Sequence, residues 1–336
     1  MADFKPRNIL LIGATGNIGR FITRSIVSAR GDFDRVAILT SAPAAGSEKE
    51  KFINEELKPK NVEIIVGDIG NEEDVLNAYK GIDTIIFALG RGAILPQIPL
   101  IKLAASSGSS VKWIFPSEYG TDIKYGPSSA GEPTHQGKLK VRAYIEEDEE
   151  IKNSGLKYTY VVTGPYPEMF LKGDSEYTGG WDVKSKKANL LEKDNKISFT
   201  TMKEFVPPSV HFLRAIDPDK YSTGDLVLAA LRHPGPATFN KALKVNSYTA
   251  TPAEIQAEFE RQVGGGWTVQ EVSLDALKEF EKNAWKDGRP DAAVFTLRRI
   301  WAEGGTLYEK RDNDAIGEPE TLTLKDTVAW YIKAST

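Results

Sequence analysis

The sequence predicts an α/β fold, a doubly wound parallel sheet with a smaller mixed α/β region beside it. Three observations carry that prediction. Short apolar runs alternate with helical periodicities over residues 1–163, the order that gives parallel strands joined by right-handed crossovers. The first run, ILLI at 9–12, leads into glycines at 13, 16 and 19 and then into Ile18, Phe21, Ile22 and Ile26 at helical spacing. Beyond residue 163 the alternation stops and an aromatic- and glycine-rich stretch begins. A strand, a glycine turn and a helix in that order are Rossmann-like.

The first strand is apolar throughout, as a strand buried on both faces must be. The turn GATGNIG at 13–19 lets backbone N–H groups approach a pyrophosphate, and the helix behind it adds positive potential. Gly13, Thr15, Gly16, Asn17, Ile18 and Gly19 are therefore the expected cradle of a dinucleotide; a ligand-free glycine turn is the alternative. Residues 35–40 (RVAILT) make the second strand. An NAD site usually places Asp or Glu at its end for the ribose 2′-hydroxyl. This chain has Thr40 and Ser41 there, with Lys49 and Lys51 further on. No carboxylate repels a 2′-phosphate and two lysines attract one, so NADP(H) is the expected cofactor. The plainer reading of the lysines is the solvated start of a helix.

Residues 62–66 (VEIIV) form the third strand, followed by Asp68 and Ile69. Asp68 suits two roles equally, acceptor for an adenine amino group or cap of a helix over 71–79. Residues 84–88 (TIIFA) form the fourth strand, whose end brings Ala88, Leu89 and Gly90 to the border of the ligand crevice. A helix over 98–106 precedes the fifth strand, 111–115 (VKWIF), which runs into PSEYG with Ser117 and Tyr119. Residues 124–136 are rich in Gly, Pro and Ser and read as a loop. The helix over 137–146 puts Lys138 and Arg142 on one face. Residues 158–162 (YTYVV) are the sixth strand, closed by Thr163, Gly164 and Tyr166. Ser117, Thr163 and Gly164 complete the expected cofactor contacts.

The remainder predicts a strand over 196–201, a helix over 222–232 and a return to the sheet over 240–245. Further helices follow at 251, at 273–285, at 291–302 and at 323–334. The one at 251 opens Thr-Pro-Ala-Glu, with proline in its first turn and glutamate at the third position. The dinucleotide-binding part is thus 1–163 and about 207–249, and the substrate-binding part about 164–206 and 250–336.

At 336 residues, 40% hydrophobic and 27% charged, the composition is that of an ordinary soluble protein. A net charge of -4 and the lack of a basic run argue against nucleic acid as a partner. No cysteine is present, which excludes disulfides, thiolate zinc sites and cysteine nucleophiles. The first residues lack a signal peptide's apolar segment and no run approaches the ~20 apolar residues of a membrane span. A cytoplasmic protein without a membrane partner or a metal is expected.

Chemistry at a nicotinamide needs a proton carrier and a dry pocket. None of the twelve tyrosines has a lysine four residues later, and neither H-E-x-x-H nor G-x-S-x-G occurs. His211 and His233 have no paired acid in a recognisable motif, whereas His135 lies in the loop before Lys138 and suits a pocket lining. Lys138, following the fifth strand and a loop, is the expected proton carrier, titrating nearer neutrality when desolvated; its plainer reading is a surface lysine like Lys140. Tyr119, His135, Tyr166, Phe170 and Trp181 are the candidate substrate contacts, with core packing as the other reading of the aromatics.

GATGNIG at 13–19, FPSEYG at 115–120, KLKVRAYIE at 138–146, YTYVVTGPY at 158–166 and FNKALKV at 239–245 together resemble one family. It is the isoflavone-reductase-like branch of the NmrA-like atypical short-chain dehydrogenases, which includes phenylcoumaran benzylic ether and pinoresinol-lariciresinol reductases. The resemblance implies a Rossmann domain with a smaller substrate domain and a cleft between them. It further implies an NADPH-dependent reductase of a small aromatic or polyketide-like metabolite, monomeric or homodimeric. Lys138 matches the family's catalytic lysine, which handles the proton of a phenol or enone. Plant-type members carry Arg after the second strand for the 2′-phosphate; Thr40 stands there here, shifting that task to Ser41, Lys49 or Lys51. A non-catalytic NAD(P) redox sensor, or a cyclase or isomerase that keeps the nucleotide, are the alternatives.

Overall fold

A computed structural model describes residues 4–173, 177–202 and 222–335. His211 and part of the expected stretch 207–249 lie outside these residues. The strands are β1 (Asn8–Ile12), β2 (Arg35–Thr40), β3 (Glu63–Val66), β4 (Thr84–Phe87), β5 (Trp113–Phe115), β6 (Lys157–Val162), β7 (Gly180–Asp182), β8 (Lys187–Leu191), β9 (Ile197–Phe199), β10 (Lys241–Lys244), β11 (Tyr248–Ala250) and β12 (Thr268–Val272).

Seven of them form one parallel sheet in the order β3-β2-β1-β4-β5-β6-β10. The chain winds outward from β1 to β3, then returns to β4 on the other side of β1. That reversal opens a crevice outside the carboxyl ends of β1 and β4. Alternation along the strands feeds two cores. Ile9 and Leu11 of β1 face one side and Leu10 and Ile12 the other, all at most 1% exposed. The first core is covered by the helices Gly19–Ser28 and Ser222–Arg232, through Ile22, Ile26, Leu226 and Ala230. The second is covered by Glu72–Tyr79, Gln97–Ala105 and Gln136–Glu147, through Val75, Leu100, Ile101, Val141 and Ile145. Each such side chain contributes about 1.5–3 kcal/mol by leaving water.

The return to the sheet occurs at β10, with Lys241 opposite Thr159 and Leu243 opposite Val161. The stretch between β6 and β10, and everything after β10, builds the second region. There β7 and β8 are antiparallel, β12 joins β8 in parallel and β9 pairs antiparallel with β11. Phe170, Trp181, Phe199, Phe259 and Trp301 meet in its core. The capping box at Thr251 and Glu254, with Pro252 behind it, starts the helix Pro252–Val263. The strands β7, β8, β11 and β12 are additions to the expected elements, and the loop 124–136 contains two tight turns, Pro127–Gly131 and Pro133–His135. Among the described residues no helix is long and apolar enough to cross a membrane, and no group of three His, Asp or Glu side chains is placed to hold a metal.

Candidate active site

The three turn glycines do different jobs. Gly13 has φ +88°, and a Cβ on it would collide with the Ala88 carbonyl, so its absence lets the ends of β1 and β4 touch. A Cβ on Gly19 would collide with the Gly13 carbonyl, so Gly19 seats the helix against the strand. Gly16 is exposed, and a Cβ there would meet only the carbonyls of Gly13 at 3.3 Å and Ala88 at 3.8 Å. Its other side is open. The Gly16 N–H donates to the Gly13 carbonyl at 3.0 Å. The N–H groups of Asn17, Ile18 and Gly19 open the helix, where no intrahelical carbonyl reaches them. An open glycine beside free N–H groups at a helix start suits a pyrophosphate.

At the end of β2, Thr40 is buried and its carbonyl accepts from the Gly67 N–H at 3.0 Å. Beyond it, the Lys49 ammonium donates to the Ser41 carbonyl at 2.6 Å and to its hydroxyl at 2.8 Å. Partial burial holds Lys49 below the usual lysine range. Among the described residues Lys49 makes no ion pair. Lys51 points elsewhere and is paired with Glu48 at 2.9 Å. Only Lys49 therefore stands at the strand end, and the expectation that either lysine serves there narrows to it. The two roles of Asp68 also part. The helix Glu72–Tyr79 is capped by Asn71, which accepts from Glu73 and Asp74 N–H groups. Asp68 is not the cap; one of its oxygens takes the Gly70 N–H at 2.8 Å, and Ile69 packs on the second core.

The carboxyl ends of β4 and β5 are tied together by Ser117. Its hydroxyl donates to the Leu89 carbonyl at 2.8 Å and its N–H to the Gln97 side chain at 2.7 Å. Next to it Glu118 holds two residues of the helix Gln136–Glu147. Its carboxylate takes both arms of Arg142 at 3.0 and 3.1 Å, with the two side chains 3% exposed. Its carbonyl takes the Lys138 ammonium. Arg142 also lies over the Tyr160 ring at 4.3 Å. Burial lowers the Lys138 pKa below the usual range; Glu118 opposes this, while Arg142 and Arg91 add to it. Lys140, two residues on, is exposed. Sequence reasoning placed Lys138 and Arg142 on one face but missed Glu118 as the residue that holds both. The signal was an acid in PSEYG ahead of K-x-x-x-R.

The other candidates divide. Tyr119 has φ +23°, a conformation a bulky residue rarely adopts, and its buried hydroxyl has no partner. Burial pushes that hydroxyl well above the usual tyrosine range. Tyr166 is a strut rather than a pocket wall, its hydroxyl donating to the Tyr119 carbonyl at 2.7 Å. Thr163 and Gly164 join the sheet to the second region: the Thr163 carbonyl accepts from Thr200 at 2.6 Å, and the Gly164 N–H donates to the Gly120 carbonyl at 2.9 Å. Phe170 and Trp181 belong to a core instead of a pocket wall. Phe170 packs on Phe199 at 5.0 Å, and Trp181 stacks on Phe259 at 5.8 Å while donating to Gln256. Large aromatics with no free face stabilise more as core than as pocket lining. His135 is buried immediately before the Lys138 helix, and its Nδ1 lies 3.1 Å from the Ser129 carbonyl.

A family model described as the NmrA-like family matches residues 5–288. The chain belongs to the NmrA-like family. Its NmrA-like relatives include the isoflavone reductase homolog P3 of Arabidopsis thaliana, 28% identical over 79% of this chain and 77% of that protein. The oxidoreductase aprR of Aspergillus flavus is 28% identical over 97% of this chain and 98% of its own length. Among solved structures, the leucoanthocyanidin reductase–NADPH complex of Vitis vinifera shares the NmrA-like fold. Its TM-score is 0.74 at 19% identity, over 97% of this chain and 99% of that one.

Proposed function

We propose that this NmrA-like protein is an oxidoreductase, an NADPH-dependent reductase of a small aromatic or polyketide-like metabolite. The observation that carries the reading is the position of Lys138. Its ammonium is fastened to the Glu118 carbonyl at the carboxyl end of the sheet, on the same edge as the turn that Gly16 leaves open. The N–H groups at the start of the helix Gly19–Ser28 hold the pyrophosphate, and Lys49 on Ser41 meets the 2′-phosphate. When bound, NADPH supplies a hydride from nicotinamide C4. Lys138 supplies the proton at the substrate oxygen. Its lowered pKa brings proton exchange nearer neutral pH. Arg142 stays charged against Glu118 and fixes the backbone that Lys138 grips.

The test is single-turnover oxidation of bound NADPH with a panel of aromatic enones and benzylic ethers. Lys138→Ala is expected to keep NADPH affinity and to lose roughly two to four orders of magnitude in rate, as loss of a positioned acid or base does. Lys140→Ala should act far less. Wild-type turnover by Lys138→Ala removes the lysine from the mechanism. NADP-dependent binding of a regulatory protein, with no turnover of any compound, would replace the reductase by a redox sensor.

A further inference from the structure

We infer that His135 is a hydrogen-bond acceptor for an O–H group of the substrate, so that the molecules reduced here carry a free phenolic or enolic hydroxyl. The inference rests on the reductase reading and narrows its substrate class.

The tautomer is fixed by a neighbour that has no proton to give. A carbonyl oxygen only accepts, so the 3.1 Å contact between His135 Nδ1 and the Ser129 carbonyl puts the ring proton on Nδ1. Nε2 is then a bare lone pair. It is buried and has no partner, in a residue 2% exposed. Buried acceptors in native proteins are almost always paired, and the groups around this one are. Glu132 takes the Tyr125 hydroxyl at 3.1 Å on one oxygen and Arg299 at 2.7 Å on the other. Arg299 also reaches Glu281 at 2.6 Å and Glu303 at 2.9 Å. The unmet acceptor in this cluster is His135 Nε2, one helical turn before Lys138.

The charged and titratable groups acting on the ring are Glu132 from its own segment, Lys138 from the helix it precedes and Glu118 from the end of β5. The Tyr125 ring stands edge-on at 6.0 Å. Burial outweighs the two acids and keeps the imidazole neutral. The site thus offers a donor and an acceptor of fixed sense, Lys138 and His135. A hydroxyl uses both; an ether oxygen in the same place uses only the donor and leaves Nε2 unpaired.

The experiment uses the full chain saturated with NADP⁺. Titration calorimetry measures binding of 4-hydroxybenzylideneacetone and of its methyl ether. The wild type is expected to bind the phenol about tenfold or more tightly than the ether. His135→Phe, with unchanged NADP⁺ affinity as its folding check, should bring the two within about twofold by weakening the phenol. Long-range proton–nitrogen NMR on the wild type, whose three histidines are told apart by His135→Asn, should show a neutral ring protonated at Nδ1. Equal binding of the two compounds, binding of neither, a preference that survives in His135→Phe, or a ring protonated at Nε2 overturns the proposal. Lys138→Ala separates the two ideas. Wild-type turnover in Lys138→Ala defeats the lysine mechanism and leaves the phenol-to-ether ratio standing, whereas an unchanged ratio in His135→Phe defeats the acceptor and leaves the lysine standing.

Discussion

Glu118 shows how much one residue decides. Removing its charge strands Arg142 in a site where both partners are 3% exposed. Glu118→Gln is therefore expected to cost about 3–5 kcal/mol, read as a lower urea midpoint with an unchanged slope. The glycines make a contrasting prediction. Gly16→Val should leave the circular dichroism spectrum native and abolish NADPH binding by calorimetry, because the branched side chain fills the open face of the turn. In the same assay the wild type should prefer NADPH over NADH by roughly tenfold, and Lys49→Ala should bring that ratio near one. His135 supplies a pH dependence. Burial sets its folded pKa below the ordinary 6.5, so the unfolded chain takes up the proton first as the medium is acidified. Its stabilising contribution is full above pH 6.5 and is lost as pH falls through the folded value. Urea titrations from pH 7.5 to 5 should lose less stability in His135→Asn than in the wild type. The sequence showed which of these residues carry chemistry, because spacing and residue type suffice for that. It did not show which lysine stands at the end of β2, or that Asn71 rather than Asp68 caps the helix. Both choices turn on a side chain's direction, which spacing leaves open.

At the scale of elements, the helix Ala292–Ala302 braces the lysine from outside the sheet. Arg299 grips Glu132 ahead of His135, and two residues on Trp301 donates to Thr121 at 2.9 Å, just past Gly120. Both chain segments that meet at Lys138 are thus held by one helix. Arg299→Gln should lower kcat/KM about tenfold or more while NADPH affinity stays within a factor of two, with partial recovery in Arg299→Lys; steady-state kinetics beside calorimetry checks this. The helices and the strands of the main sheet were legible because long apolar periods and runs announce them. The strands of the second region were not. β7 is three residues with a glycine, and β12 is TVQEV with four of five residues exposed. Such strands exist because a neighbour offers hydrogen bonds, and that neighbour is far away in sequence.

For the whole molecule, ligand and fold are one equilibrium. NADPH at a hundred times its dissociation constant should raise unfolding stability by about 2.7 kcal/mol, visible as a single shifted calorimetric transition. The order of strands says why the transition should be single. The chain leaves the sheet at Val162 and comes back to it at Lys241, laying β10 along β6 only after much of the second region has been made. The nucleotide-binding half is therefore not a module that can be cut free. A fragment ending at residue 163 exposes the edge of β6, with bare N–H and C=O groups inviting another copy. It also loses the helix Ser222–Arg232 that roofs the first core. In biosynthesis the same topology imposes a delay. The ribosome releases six strands of the sheet early, but the seam closes only when residues 241–244 have emerged, so newly made chains spend that interval with an open edge.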